Sequence, residues 1–137
     1  MCSAQVLAHY DATSKHIIAC DALPYGIQAV LLQVQQDGQE RPVAYASRTL
    51  SKAERNYAQF EREALAIAFG VKRFHFYVYS LKFLITTDHK PLLGVFGEGK
   101  PVPPMASSQV IRWSVILQGY DYQLQYRPGS RNHCANA

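Results

Sequence analysis

The hydrophobic and polar positions of the chain change period several times, and each change predicts an element. Residues 1–15 (MCSAQVLAHYDATSK) sustain no period and read as a lead-in segment. His16 to Asp21 (HIIACD) is a short apolar run ended by an acid, the pattern of a buried strand. After a Leu23-Pro24-Tyr25-Gly26 break, Ile27 to Val34 (IQAVLLQV) is rich in strand formers. Asp37-Gly38 is a hairpin turn signal, and Arg41 to Ser47 (RPVAYAS) returns as a third strand. Pro42 near its start suits an edge position, where a missing N–H costs least. The first third therefore predicts an antiparallel meander.

The period then becomes helical. Ser51 and Glu54 form an S-x-x-E capping box, and Tyr57, Phe60, Ala64, Ile67, Val71, Phe74 and Val78 recur at steps of three or four. This predicts one long helix over that stretch. Beside the apolar stripe runs a line of Gln59, Glu63, Ala66 and Gly70, which places Glu63 at the edge of the buried face. A fourth strand, Lys82 to Thr87 (KFLITT), again ends in an acid, Asp88. A short helix over Leu92 to Phe96, a Gly/Pro-rich loop over Gly97 to Pro104 and a helix over Met105 to Leu117 follow. Tyr122 to Arg127 (YQLQYR) alternates strictly and predicts a fifth strand, stopped by Pro128-Gly129. A meander, then a helix, then alternating strand and helix, is an α/β pattern: a mixed sheet with helices on its faces.

Composition narrows the class. With 137 residues, 48% hydrophobic and 18% charged, the chain has the size of one domain and too much apolar content for a disordered tail. Its longest purely apolar run, Ala64 to Phe69, falls far short of the about 20 residues of a membrane span. Residues 1–20 lack the basic start and apolar stretch of a secretory signal. A formal net charge of +4 suits a polyanionic partner, although many ordinary proteins carry as much. Cys2, Cys20 and Cys134 have no zinc-type spacing and suggest a reduced, intracellular compartment.

The chemistry of interest lies in the acids. If the strands ending in Asp21 and Asp88 are parallel neighbours, both acids emerge at the carboxyl edge of the sheet, where α/β folds place ligands. Glu63, on a helix packed across that sheet, completes a three-acid cluster. Converging carboxylates repel unless protonated or bridged by cations, and an all-oxygen set suits Mg²⁺ or Mn²⁺. From spacing alone, ordinary strand-end acids and a solvated helix acid are the commoner explanation.

Family context changes that balance. ACDALPYGIQAVL, RPVAYASRTLSKAERNYAQFEREALAIAFGVKRFHFYVY, FLITTDHKPLL and IRWSVILQGYDYQLQYRPGSRN, in this order, resemble the ribonuclease H domain of Gypsy-type LTR-retrotransposon Pol polyproteins. The likeness runs from about residue 6 to residue 137, with 1–15 similar to the junction with the reverse transcriptase and 16–137 to the ribonuclease H-like domain. The resemblance implies a five-stranded sheet in the order 3-2-1-4-5 with the second strand antiparallel. It also implies hydrolysis of the RNA strand of RNA–DNA hybrids, with two Mg²⁺ or Mn²⁺ ions as cofactors. Reverse transcriptase and integrase would be neighbours in the polyprotein, without a membrane, in the cytoplasm, a virus-like particle or the nucleus. Asp21, Glu63 and Asp88 match the family's catalytic and metal-binding acids.

The fourth acid does not match. The family reads R-P-G-x-x-N-x-x-A-D, and counting from Gly129 the acid position holds Asn136. An amide keeps an oxygen but loses the charge that holds a cation, so the resemblance implies impaired turnover. Leu23 and Gln28 replace a Ser and a Gly common beside the first acid, and the family's final helix is missing. A catalytically silent hybrid-binding or structural module is the alternative. Expected substrate contacts are Arg48, His89, Lys90, Arg112, Arg127 and His133, with Arg131 flanking the last turn and Trp113 more often a core anchor than a stacking platform. The aromatic run Phe74, Phe76, Tyr77 and Tyr79 reads as core plus rim.

Overall fold

The computed structural model describes residues 5–6, 14–96 and 107–128. Its strands are β1 (Gln5–Val6), β2 (Lys15–Ala22), β3 (Gly26–Val34), β4 (Glu40–Thr49), β5 (Lys82–Thr87) and β6 (Asp121–Tyr126). Its α-helices are α1 (Gln59–Arg73), α2 (His75–Val78), α3 (Leu93–Phe96) and α4 (Ser108–Leu117). The sheet order is β1-β4-β3-β2-β5-β6, so without the two-residue β1 the five main strands follow the 3-2-1-4-5 order. Strands β2, β3 and β4 pair antiparallel, whereas β2–β5 and β5–β6 are parallel. Part of the lead-in thus belongs to the sheet, because Gln5 and Val6 pair with Tyr45 and Ala44.

The hairpin forms where the turn residues predict it. Gly38 adopts φ 85°, and the Asp37 side chain accepts the Gln39 N–H at 2.9 Å. Pro42 lies opposite Leu32, next to a register shift between Leu31 and Leu32 that bulges β4. Alternation along the strands supplies both sheet faces. Ile18, Cys20, Ala29 and Leu31 join the core under α1, while Ile17, Ala19, Val30, Leu32 and Tyr45 form a second cluster.

The long central helix is divided. The Ser51–Glu54 capping box is present, with the Ser51 N–H donating to Glu54 at 2.8 Å, but it caps the 3-10 turn Glu54–Asn56. Helix α1 starts afresh at Gln59, where the Glu61 carboxylate accepts the Ala58 N–H at 3.3 Å. It stops at Phe74, whose φ −102° and ψ 22° break the helix before α2. Phe74 and Val78 enter the core, but Phe76 stands 87% exposed and Tyr79 56%, more open than a core-and-rim pattern implies. Helix α4 begins later than its apolar pattern suggests, because Ser107 caps it by accepting the Val110 N–H. The predicted loop over Gly97 to Pro104 falls outside the described residues.

Helix α1 packs on β2 and β3 and against α4. Its approach to the sheet is tight at Gly70, where a Cβ would stand 2.9 Å from Ala29 Cβ and 3.1 Å from both Cys20 Sγ and Ile18 Cγ2. Gly70→Ala is therefore expected to destabilise by about 1–3 kcal/mol through overpacking, outweighing a helix-propensity gain of about 1 kcal/mol. Thermal unfolding should show a melting temperature lower by several degrees; an unchanged or higher value would mean that α1 lifts from the sheet without cost.

Candidate metal centre at the carboxyl edge of the sheet

Parallel pairing sets the two strand acids at one level. In the β2–β5 register Ala19 lies opposite Thr86, and Asp21 and Asp88 each follow two residues later. Glu63 reaches them from the second turn of α1, on the line that also carries Ala66 and Gly70. One ligand oxygen from each of Asp21, Glu63 and Asp88 lies within 4.8 Å of the others. Asp21 and Glu63 are each only 4% exposed, and Asp88 is half-buried.

Hydrogen bonds fix the Glu63 carboxylate at both oxygens. The Ala22 N–H donates to Oε1 at 3.0 Å, joining the helix to the end of β2. The Gln59 side-chain amide donates to Oε2 at 2.9 Å from one turn earlier. Burial, followed by the charges of Asp21 and Asp88, nevertheless pushes the Glu63 carboxyl up to about 7, against the lowering effect of the two hydrogen bonds. Burial, reinforced by Glu63 and Asp21, drives the adjacent Cys20 thiol well above its ordinary range.

Three oxygen donors converging at a half-buried edge fit a hard divalent cation in number and kind. His and Cys contribute no atom to this cluster. A cation there would remove the mutual repulsion that raises Glu63.

The other expected site residues scatter. Arg48, at the end of β4, makes two hydrogen bonds to Glu54 at 2.7 and 3.1 Å and lies 5.9 Å above the Phe69 ring. Arg127 is bound to both carboxylate oxygens of Glu40 at 2.8 Å. These ion pairs engage two cations expected to face substrate. His89 follows Asp88 directly and meets the Phe60 ring edge-on at 6.2 Å. Lys90 and Arg112 are exposed, on the 3-10 turn Lys90–Leu92 and on α4. Trp113 is buried, 6.3 Å from the Tyr57 ring, which makes it a core anchor. Gln28 is buried in the strand position facing Asp21, and Leu23 closes the turn through its N–H to the Gly26 carbonyl at 2.7 Å. Asn136, His133 and Arg131 lie outside the described residues. The role of Gln59 was missed in the sequence, although a Gln four residues before a Glu is a legible helical pair.

A mixed sheet in the 3-2-1-4-5 order, with acids from two parallel strands and a crossing helix at its carboxyl edge, defines a ribonuclease H-like domain. The family model described as the RNase H-like domain found in reverse transcriptase matches residues 11–120, and the chain belongs to that family. The Tf2-3 and Tf2-4 transposon polyproteins of Schizosaccharomyces pombe are each 37% identical over 138 residues, covering 98% of this chain and 10% of theirs. The chain thus spans a tenth of the length of these curated relatives. A foamy viral protease-reverse transcriptase dRH solved with double-stranded DNA superposes with a TM-score of 0.69 at 17% identity, covering 92% of this chain and 22% of that one. LC11-RNase H1, solved with an RNA/DNA hybrid, gives a TM-score of 0.63 at 15% identity, covering 89% and 91%. The sequence resemblance to a retroelement Pol ribonuclease H domain is confirmed by these matches.

The raised Glu63 carboxyl has a sign that stability can test. Below pH about 4.5 both folded and unfolded states hold the proton; between there and about 7 the unfolded chain releases it while the folded chain keeps it. This group therefore makes the cation-free protein less stable as pH rises through that window, by at most about 3 kcal/mol. Thermal unfolding in chelator from pH 4 to 8 should show this loss, and Asp21→Asn should move it to lower pH. Mg²⁺ should raise the melting temperature at pH 8 more than at pH 5; the reverse order would argue against a carboxylate cation site.

Proposed function

We propose that the chain is a retroelement ribonuclease H domain that hydrolyses the RNA strand of RNA–DNA hybrids, with turnover impaired by Asn136. The observation that carries this reading is the convergence of Asp21, Glu63 and Asp88 within 4.8 Å at the carboxyl edge of the sheet. Asp21, Glu63 and Asp88 would hold Mg²⁺ or Mn²⁺. Such ions supply water activation and stabilisation of the leaving oxygen in phosphodiester hydrolysis. Asp21 and Glu63 are set by backbone pairing and by the Ala22 hydrogen bond, so their orientation precedes substrate binding. Exposed Lys90, two residues after Asp88, and exposed Arg112 on α4 are the proposed contacts to backbone phosphates. Arg48, His89, Arg127 and His133 complete the proposed contacts, with Arg48 and Arg127 exchanging their present carboxylates for phosphates. Reverse transcriptase and integrase segments of the same polyprotein are the proposed neighbours.

Asn136 in the family's fourth acid position favours a second reading, a silent module that still binds hybrid. Cleavage of a labelled RNA–DNA hybrid with Mg²⁺, and separately with Mn²⁺, separates the two. Asn136→Asp should accelerate cleavage at least about tenfold, or about 1.4 kcal/mol of barrier, and Asp21→Asn should abolish it. Equal cleavage by the parent and Asp21→Asn would refute hydrolysis at this centre. Salt-sensitive hybrid binding without cleavage in either the parent or Asn136→Asp would establish the silent module.

A further inference from the structure

The first turn of α1 contains a hydrogen-bond relay that neither the family match nor the acid cluster assigns. The Arg62 guanidinium donates from Nη2 to Gln59 Oε1 at 2.7 Å, and Gln59 Nε2 donates to Glu63 Oε2 at 2.9 Å. Both steps follow helical spacing, three residues back and four residues forward. A carboxamide has two ends of nearly equal shape, and either could face Glu63. Arg62 is donor-only, so its contact turns the oxygen of Gln59 toward itself and the NH₂ toward Glu63. Arg62 is half-buried, with its Nε enclosed without a hydrogen bond among the described residues, while its bond to Gln59 lies at the exposed surface.

Glu63 is thereby held at two points from two directions, Oε1 from the end of β2 and Oε2 from its own helix. Donors at both oxygens leave the remaining lone pairs for a cation and block rotation of the carboxylate away from Asp21 and Asp88. The geometry points to Gln59 as a positioning residue for the Glu63 ligand, with Arg62 setting the direction in which the Gln59 amide donates. This rests on the reading of Glu63 as a cation ligand under the proposed function.

The test is Mn²⁺ binding to the whole chain, followed by electron paramagnetic resonance, for Gln59→Leu, Gln59→Met, Arg62→Ala, the double variant Gln59→Leu/Arg62→Ala, and Glu63→Gln. Gln59 is exposed, so its variants are expected to fold, and thermal unfolding of each confirms it. Partners that orient a metal ligand are worth about 10- to 100-fold in affinity, and Gln59→Leu should weaken Mn²⁺ binding about tenfold. Gln59→Met, which keeps the length of the side chain but cannot donate, should weaken it as much. Arg62→Ala should weaken it less, and the double variant should be no worse than Gln59→Leu alone, because Arg62 acts only through Gln59. If Glu63→Gln weakens binding while Gln59→Leu stays within twofold of the parent, the relay is wrong and the ligand reading stands. If losses in the double variant multiply, Arg62 acts by another route and the relay is wrong. If Glu63→Gln leaves Mn²⁺ binding unchanged, both readings fall.

Discussion

The separation between α1 and the sheet is the constraint from which the acidic centre follows. Gly70 lets the helix backbone lie against Ala29, Cys20 and Ile18 at distances no larger residue would permit. Two turns earlier on the same line, that proximity brings Glu63 within hydrogen-bonding distance of the Ala22 N–H. A helix pushed outward by a methyl group at that position would lose packing against the sheet and lengthen the 3.0 Å bond from the Ala22 N–H to Glu63. The tight packing at Gly70 and the reach of Glu63 to the strand end are thus two contacts made by one helix against one sheet.

That closeness has an electrostatic cost. Burying Glu63 beside two further carboxylates opposes ionisation, and the hydrogen bonds from Ala22 and Gln59 only partly offset this. The cluster is therefore least favourable as a bare set of charges and most favourable around a cation. Such local conflict between stability and placement is expected where a fold serves chemistry. The first turn of α1 supplies one of the two offsets, the Gln59 amide bonded to Glu63, and the Ala22 N–H at the end of β2 supplies the other.

Much of this architecture was legible because its signals are local or periodic. Apolar runs ended by Asp21 and Asp88 identified two strands, and Asp37-Gly38 identified the hairpin, since a positive φ has few tenants. The helical line through Gln59, Glu63, Ala66 and Gly70, beside the apolar stripe, put Glu63 at the edge of the buried face. What escaped depends on tertiary partners. The apolar period continues through Phe74, so nothing in it announces the break, which appears where Phe74 turns into the core. The S-x-x-E box was correctly located, but its cap serves a single turn, because the chain must bend between Asn56 and Ala58 before α1 begins. Arg48 and Arg127 looked like free cations for a polyanion, yet each is matched to an acid. The Arg127 partner Glu40 lies 87 residues away, beyond any local reading.

The thiol of Cys20 gives the centre an unplanned property. Oxidants and electrophiles attack the thiolate, and burial of Cys20, reinforced by the carboxylates of Glu63 and Asp21, suppresses that form. An oxidised sulfur would need space under Gly70, where there is none to spare. The burial that packs α1 on the sheet, more than the charge of the acids, therefore keeps the sulfur chemically quiet. The joint between α1 and the sheet is thus protected from covalent damage for as long as it stays closed.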